Sequence, residues 1–178
     1  MIETAPTGAT KRAFKDSVYQ QAEEDYLFGS SRQVTSAEDR EEIHILLVED
    51  DDVQRSFLID ILEKQGYVVE AVSNGLDASR SIREHGFDLA IVDYKVPEMD
   101  GVAVATLVQS YMSQASRPRL LGYTSSLELL NNRIATFGPV FDEIVGKSKN
   151  VQDLLSSIDG LLKSSPNPTT RRLASAGH

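Results

Sequence analysis

The chain has 178 residues, 40% hydrophobic and 25% charged, with a net charge of −9; this suits one globular domain with extra segments and enough length to bury a core. The acidic balance and the lack of any basic stripe argue against a nucleic-acid face, which needs clustered Lys and Arg. The absence of cysteine removes disulfides, zinc thiolates and thiol catalysis. With no charged-then-apolar leader and no apolar run of membrane-span length, a cytoplasmic protein is expected, with neither nucleic acid nor membrane as partner.

Residues 1–42 differ in character from the rest of the chain. Phe14, Val18, Ala22 and Tyr26 recur at a spacing of four over Lys11–Phe28, which predicts a helix, and the Ser-rich, charged Gly29–Glu42 reads as a linker. From Ile43 the chain alternates apolar runs with amphipathic stretches. Ile43–Val48 is the first predicted strand, and Val53–Gln65 a helix with Val53, Phe57, Leu58, Ile61 and Leu62 on its inward face and Gly66 as its stop. Asp52 is the expected N-cap of that helix. Tyr67–Val72 is the second strand, followed by a helix that Asn74 caps and that runs to about His85.

Phe87–Val92 is the third strand, and the next helix runs from about Gly101 to Ser113 with Val104, Leu107, Val108 and Tyr111 inward. Arg119–Tyr123 is the fourth strand, Leu127, Leu130, Ile134 and Phe137 mark the fourth helix, and Phe141–Val145 is the fifth strand. Val151, Leu154, Leu155, Ile158, Leu161 and Leu162 face inward on the last helix. Five strands in strict alternation with five helices predict an α/β fold, a doubly wound parallel sheet. Residues 164–178, with Pro166 and Pro168, predict a disordered tail. The division expected is therefore an arm over 1–42, a domain over 43–163 and a tail over 164–178.

Chemistry collects where the apolar runs stop. The first ends in the acids Glu49 to Asp52, the third in Asp93, the fourth in Thr124, and the fifth leads to Lys147. Ligands of parallel α/β sheets sit beyond the carboxyl ends of the strands, so acids, a hydroxyl and an amine would share one rim. Crowded carboxylates need a cation or a shared proton, and hard oxygen ligands with room for water suit Mg2+. A solvated acidic loop capping the first helix is the plainer reading of such a run, favoured for Asp51 and Asp52.

These motifs, in this order, resemble the receiver domains of two-component response regulators, and the resemblance covers about Ile43 to Lys163. It is similar in particular to the stand-alone receivers of the chemotaxis type. The resemblance implies the flavodoxin-like strand order 2-1-3-4-5, which brings Asp50 and Asp93 together at the switch point. By the same resemblance Asp93 is the phosphoacceptor, Thr124 the switch hydroxyl and Lys147 the basic residue that contacts the phosphoryl group. Mg2+ is implied as the cofactor, with Asp50 and Asp93 as direct ligands, Glu49 acting through water and the backbone carbonyl of Lys95 completing the set.

The implied function is a phosphorylation-dependent switch that takes its phosphoryl group from a sensor histidine kinase or phosphotransfer protein and acts through contacts with a downstream protein. It is not expected to be an enzyme beyond its own phosphorylation and dephosphorylation. The other readings are a pseudo-receiver used for docking or dimerisation, and an aspartate-nucleophile phosphatase; Lys95 stands where the latter needs a second Asp. A flavin site would need a Ser/Thr/Gly-rich phosphate loop where this chain has EDDD. The apolar stripe of residues 11–28 is expected to dock on a receiver surface and help a homodimer form.

Three positions depart from the family's habit. Ser148 follows Lys147 where proline is usual, and a trans Lys147–Ser148 bond is expected because a cis bond before a non-proline residue costs about 2.5–4 kcal/mol. Ile144 stands where an aromatic often rotates on activation. Lys95 adds a cation beside the pocket and is expected to lengthen the lifetime of the phosphate.

Overall fold

The structure is a computed structural model that describes residues 42–114, 116–147 and 150–164. The predicted arm up to residue 41, the tail beyond Ser164, the Lys147–Ser148 peptide and the side chain of Phe137 lie outside the described residues.

Ten elements alternate along the chain: β1 (His44–Val48), α1 (Asp52–Lys64), β2 (Val68–Val72), α2 (Gly75–Glu84), β3 (Leu89–Val92), α3 (Gly101–Tyr111), β4 (Arg119–Thr124), α4 (Leu127–Phe137), β5 (Glu143–Gly146) and α5 (Val151–Lys163). The strands form one sheet in the order β2-β1-β3-β4-β5, with every pair parallel. This is the predicted doubly wound topology. Each parallel connection must cross over a face of the sheet, and the helices that make the crossovers cover both faces.

Alternation along each strand divides the core in two. Leu46 and Val48 of β1, with Ala90 and Val92 of β3, pack with α2, α3 and Leu130 of α4. Ile45, Leu47, Leu89 and Ile91 point the other way, against Leu58 and Leu62 of α1 and Leu154 and Ile158 of α5. Buried on both faces, β1 and β3 read as unbroken apolar runs. The edge strand β2 is only partly buried, as its place at the end of the sheet requires.

The helices begin and end close to the predicted points, with instructive shifts. Asp51, not Asp52, is the N-cap of α1: its backbone is extended and its side chain accepts from the Gln54 N–H. Val53 is 63% exposed and Tyr111 81% exposed, although both fit the helical period. Val53 sits in the first turn of α1, ahead of Phe57, where contact with the sheet begins. Tyr111 closes α3, and Met112 packs on the core in its place. Leu127, in the first turn of α4, is 37% exposed, while Leu130 is fully buried.

β2, β3 and β5 start one to two residues later than the apolar runs suggest, at Val68, Leu89 and Glu143. At two of these starts a side chain does the work of the missing ladder bonds. Asp88 Oδ2 accepts from the His44 N–H at 2.9 Å, and Asp142 Oδ2 from the Leu120 N–H at 2.8 Å. Asp142 is also gripped by Arg117, whose two terminal nitrogens donate to its oxygens at 2.7 and 2.9 Å, and by Arg119 at 3.2 Å. Arg119 then donates to the carbonyl of Ser164 at 2.8 Å, tying the end of α5 to this pole of the sheet.

Candidate functional site

The site lies at the opposite pole, beyond the carboxyl ends of the strands. β1 and β3 are neighbours with Val48 opposite Val92, so the next residues, Glu49 and Asp93, leave the sheet side by side. Their backbones stay anchored: the Asp93 N–H donates to Val48 O at 3.0 Å and the Glu49 N–H to Val72 O at 3.1 Å. Crossovers from these two strands run to opposite faces, which opens the crevice where such folds bind ligands. Glu49 and Asp93 are buried, Asp50 is exposed, and oxygens of the three carboxylates lie within 4.8 Å of one another.

Lys147 enters from the end of β5. Its N–H donates to Thr124 O at 2.9 Å, and its side chain runs inward so that Nζ donates to Glu49 Oε2 at 2.5 Å and Asp93 Oδ2 at 2.6 Å. The ammonium also stands 5.7 Å from the centre of the Tyr123 ring, inside the range of a cation–π attraction. Thr124 ends β4 on the same rim, 1% exposed, with its Oγ1 accepting from the Ser126 N–H at 3.1 Å. The Lys95 N–H donates to Asp93 Oδ1 at 3.2 Å, while the Lys95 side chain is exposed. All the acids and the lysine expected from the sequence therefore meet. Ile144 is half-buried and packs on the core beneath α2 to α4.

One ammonium does not balance this many carboxylates. Burial pushes the Glu49 carboxyl above its ordinary value; the Lys147 hydrogen bond and charge oppose that, and the Asp93 charge adds to it. Oxygen donors, excess negative charge and an exposed Asp50 fit a hard divalent cation such as Mg2+, which the carboxylates of Glu49, Asp50 and Asp93 could hold.

The loop between β3 and α3 is fixed from two sides. A Cβ on Gly101 would lie 2.3 Å from the Asp93 carbonyl oxygen, and one on Gly75 would lie 1.9 Å from the Met99 carbonyl oxygen. Between them Glu98 holds a left-handed φ of 66°. Asp100 caps α3 through the Ala103 N–H and meets Arg133 of α4 at 3.3 Å. Sequence reading passed over Arg55, Tyr123 and Arg133. Only Arg55 left a signal, being a lone arginine one helical turn after an acidic run.

The response regulator receiver domain model matches residues 45–159, and the chain belongs to that family. It therefore carries a receiver domain, a module of two-component signalling. The transcriptional regulatory protein GltR of Pseudomonas aeruginosa is 32% identical over 119 residues, covering 67% of this chain and 48% of that protein. The chain spans about half the length of the curated relatives it matches.

A CheY-like receiver domain protein from Methanospirillum hungatei is 26% identical with a TM-score of 0.60, covering 69% of this chain and 95% of that one. The receiver domain of a sensor histidine kinase from Pseudomonas aeruginosa, crystallised with a magnesium ion in its active-site cleft, shares the fold at a TM-score of 0.62 and 21% identity, over 70% of this chain and 100% of that one. Among the described residues no helix is long and apolar enough to cross a membrane.

Proposed function

We propose that Asp93 accepts a phosphoryl group from a histidine kinase or phosphotransfer protein, and that the resulting acyl phosphate switches the contacts this protein makes with a downstream partner. The observation that carries this reading is Lys147 Nζ bridging Asp93 Oδ2 and Glu49 Oε2 beside Asp50. Receiver domains take phosphoryl groups in this way, and the chain belongs to that family.

An Asp93 oxygen attacks phosphorus, a new O–P bond forms, and the bond to the donor imidazole breaks, leaving the electron pair on its nitrogen. Both Asp93 oxygens are engaged at rest, Oδ1 by the Lys95 N–H and Oδ2 by Lys147. Attack therefore begins with Lys147 shifting from the carboxylate to an incoming phosphoryl oxygen, where it neutralises charge as the bond forms. Mg2+, held at the carboxylates of Glu49, Asp50 and Asp93, would further neutralise the phosphoryl oxygens. The Thr124 hydroxyl, at the end of β4, turns to the phosphoryl group and passes the change to α4. Asp93, Thr124 and Lys147 are the working groups, and Glu49, Asp50, Asp93 and the Lys95 carbonyl are the groups that would hold the metal.

The wider reading is a cytoplasmic switch of residues 43–163 that acts through protein contacts, with residues 1–42 supporting a homodimer. The test is a small phosphodonor, acetyl phosphate, with and without MgCl2. An acid-stable, base-labile adduct is expected on Asp93 only when Mg2+ is present. Labelling that persists in Asp93→Asn, or that proceeds without Mg2+, would overturn the reading.

A further inference from the structure

Arg55 sits one turn into α1, and its side chain, 21% exposed, folds back over the acidic loop. Nη1 donates to the Glu49 carbonyl at 2.8 Å and reaches the Asp50 carbonyl at 3.5 Å, while Nη2 pairs with the Asp52 carboxylate. The two carbonyls belong to the peptides on either side of the Asp50 Cα. Among the described residues no hydrogen bond or ion pair holds the Asp50 carboxylate itself, so the placement of its backbone is what limits where the carboxylate can reach. The planar guanidinium fork reaches carbonyl and carboxylate at once; a lysine ammonium is a point charge on a flexible stem.

We propose that Arg55 is a positioning residue of the site: by gripping the peptides on both sides of Asp50 it aims that carboxylate toward Asp93, ready for a divalent cation. This rests on the proposed reading of the site as a Mg2+-dependent phosphoacceptor. Two effects of Arg55 compete. A nearby positive charge repels a divalent cation, whereas an ordered ligand binds it better. The Asp52 carboxylate offsets the charge directly, which leaves orientation as the larger effect.

The experiment is a calorimetric titration of the full chain with MgCl2, for the parent, Arg55→Ala, Arg55→Lys and Asp52→Asn. Groups that orient a ligand from behind typically matter tenfold or more, so Arg55→Ala and Arg55→Lys are each expected to weaken Mg2+ binding by about tenfold. Asp52→Asn keeps the carbonyl contacts but uncovers the Arg55 charge, so it should weaken Mg2+ binding, by less than either Arg55 variant. In acetyl phosphate labelling, the Mg2+ concentration at half-maximal rate should rise in both Arg55 variants while the rate at saturating Mg2+ is retained. A general loss of structure would lower that rate as well.

Unchanged or tighter Mg2+ binding by Arg55→Ala would overturn the inference, as would parent-like binding by Arg55→Lys, which would show that the guanidinium fork is not needed. If Arg55→Ala does not fold, Arg55→Lys decides. A parent that binds no Mg2+ overturns the metal reading of the site and this inference with it; a parent that binds while the variants match it overturns the inference alone.

Discussion

The two poles of the sheet each bury a charge cluster, and the clusters are biased in opposite directions. At the amino-terminal pole two arginines close on one carboxylate. Burial alone would push Asp142 up, but the Arg117 hydrogen bonds, the Leu120 N–H and the charges of both arginines together hold it below its ordinary value. Donors are in surplus there, and Arg119 Nε is buried without a hydrogen-bond partner among the described residues. At the carboxyl-terminal pole Lys147 is, among the described residues, the one cation paired with the carboxylates of Glu49 and Asp93, Asp50 stands within 4.8 Å of them, and Glu49 is pushed up. The first cluster is closed and ties strand starts together; the second is left short of positive charge, which is what a cation and a phosphoryl group would answer.

The sharpest way to break this contrast is Asp142→Ala. It strands two arginines that are mostly buried, and removing one partner of a buried pair costs about 3–5 kcal/mol. Urea denaturation should show a loss of that order; a loss below about 1 kcal/mol would mean that the pole contributes little to stability.

Gly101→Ala comes next. Its Cβ would meet backbone, not a flexible side chain, so the Asp93 carbonyl must shift, at about 1–3 kcal/mol by analogy with overpacking. Slower phosphorylation should accompany the lower stability. Gly160→Ala, whose Cβ meets nothing within 4 Å, is the control and should gain up to about 1 kcal/mol.

Asp93→Asn should act with the opposite sign to Asp142→Ala. It removes one of the crowded acids and leaves Lys147 facing Glu49, so stability should rise by about 1 kcal/mol while labelling disappears. A loss of stability would show that the rim is as balanced as the other pole.

The smallest effect is on pH dependence. Asp142 is lowered, so its contribution is present above its unfolded value of 3.8 and is lost as pH falls through its folded value. Glu49 is raised, so its contribution is present below 4.5 and is lost as pH rises through its folded value. Compared with the parent across pH 3 to 7, in roughly unit steps, Asp142→Asn should flatten the acid limb. Glu49→Gln should gain on the parent as pH rises above 4.5.

The strands and the acids at their ends were legible because buried parallel strands leave unbroken apolar runs whose ends mark a single rim, whereas the order of the strands was implied only by the resemblance to receiver domains. Less legible was how far each helix stays on the sheet. Val53 and Tyr111 keep the helical period, yet Val53 lies in the first turn of α1 ahead of the core contact and Tyr111 gives way to Met112 at the end of α3, and period alone does not report which end residue the core takes. Asp52 was the expected cap, and residue type does not separate it from Asp51; the extended backbone at Asp51, whose side chain accepts from the Gln54 N–H, decides between them. Arg117 and Asp142 are 25 residues apart, and nothing local in either position announces the other.

The loop after β3, which packs against Gly75 of α2 and ends at Gly101, also directs how variants of this protein should be made. Gly75 and Gly101 are fixed posts, because any side chain there meets a carbonyl oxygen. Lys95 and Glu98, between them, are exposed. A mutational library meant to change how long the phosphate survives should therefore vary those two positions and leave the posts alone. Glu98→Gly has a particular use in such a library: it relieves the left-handed backbone and loosens the segment without moving its ends.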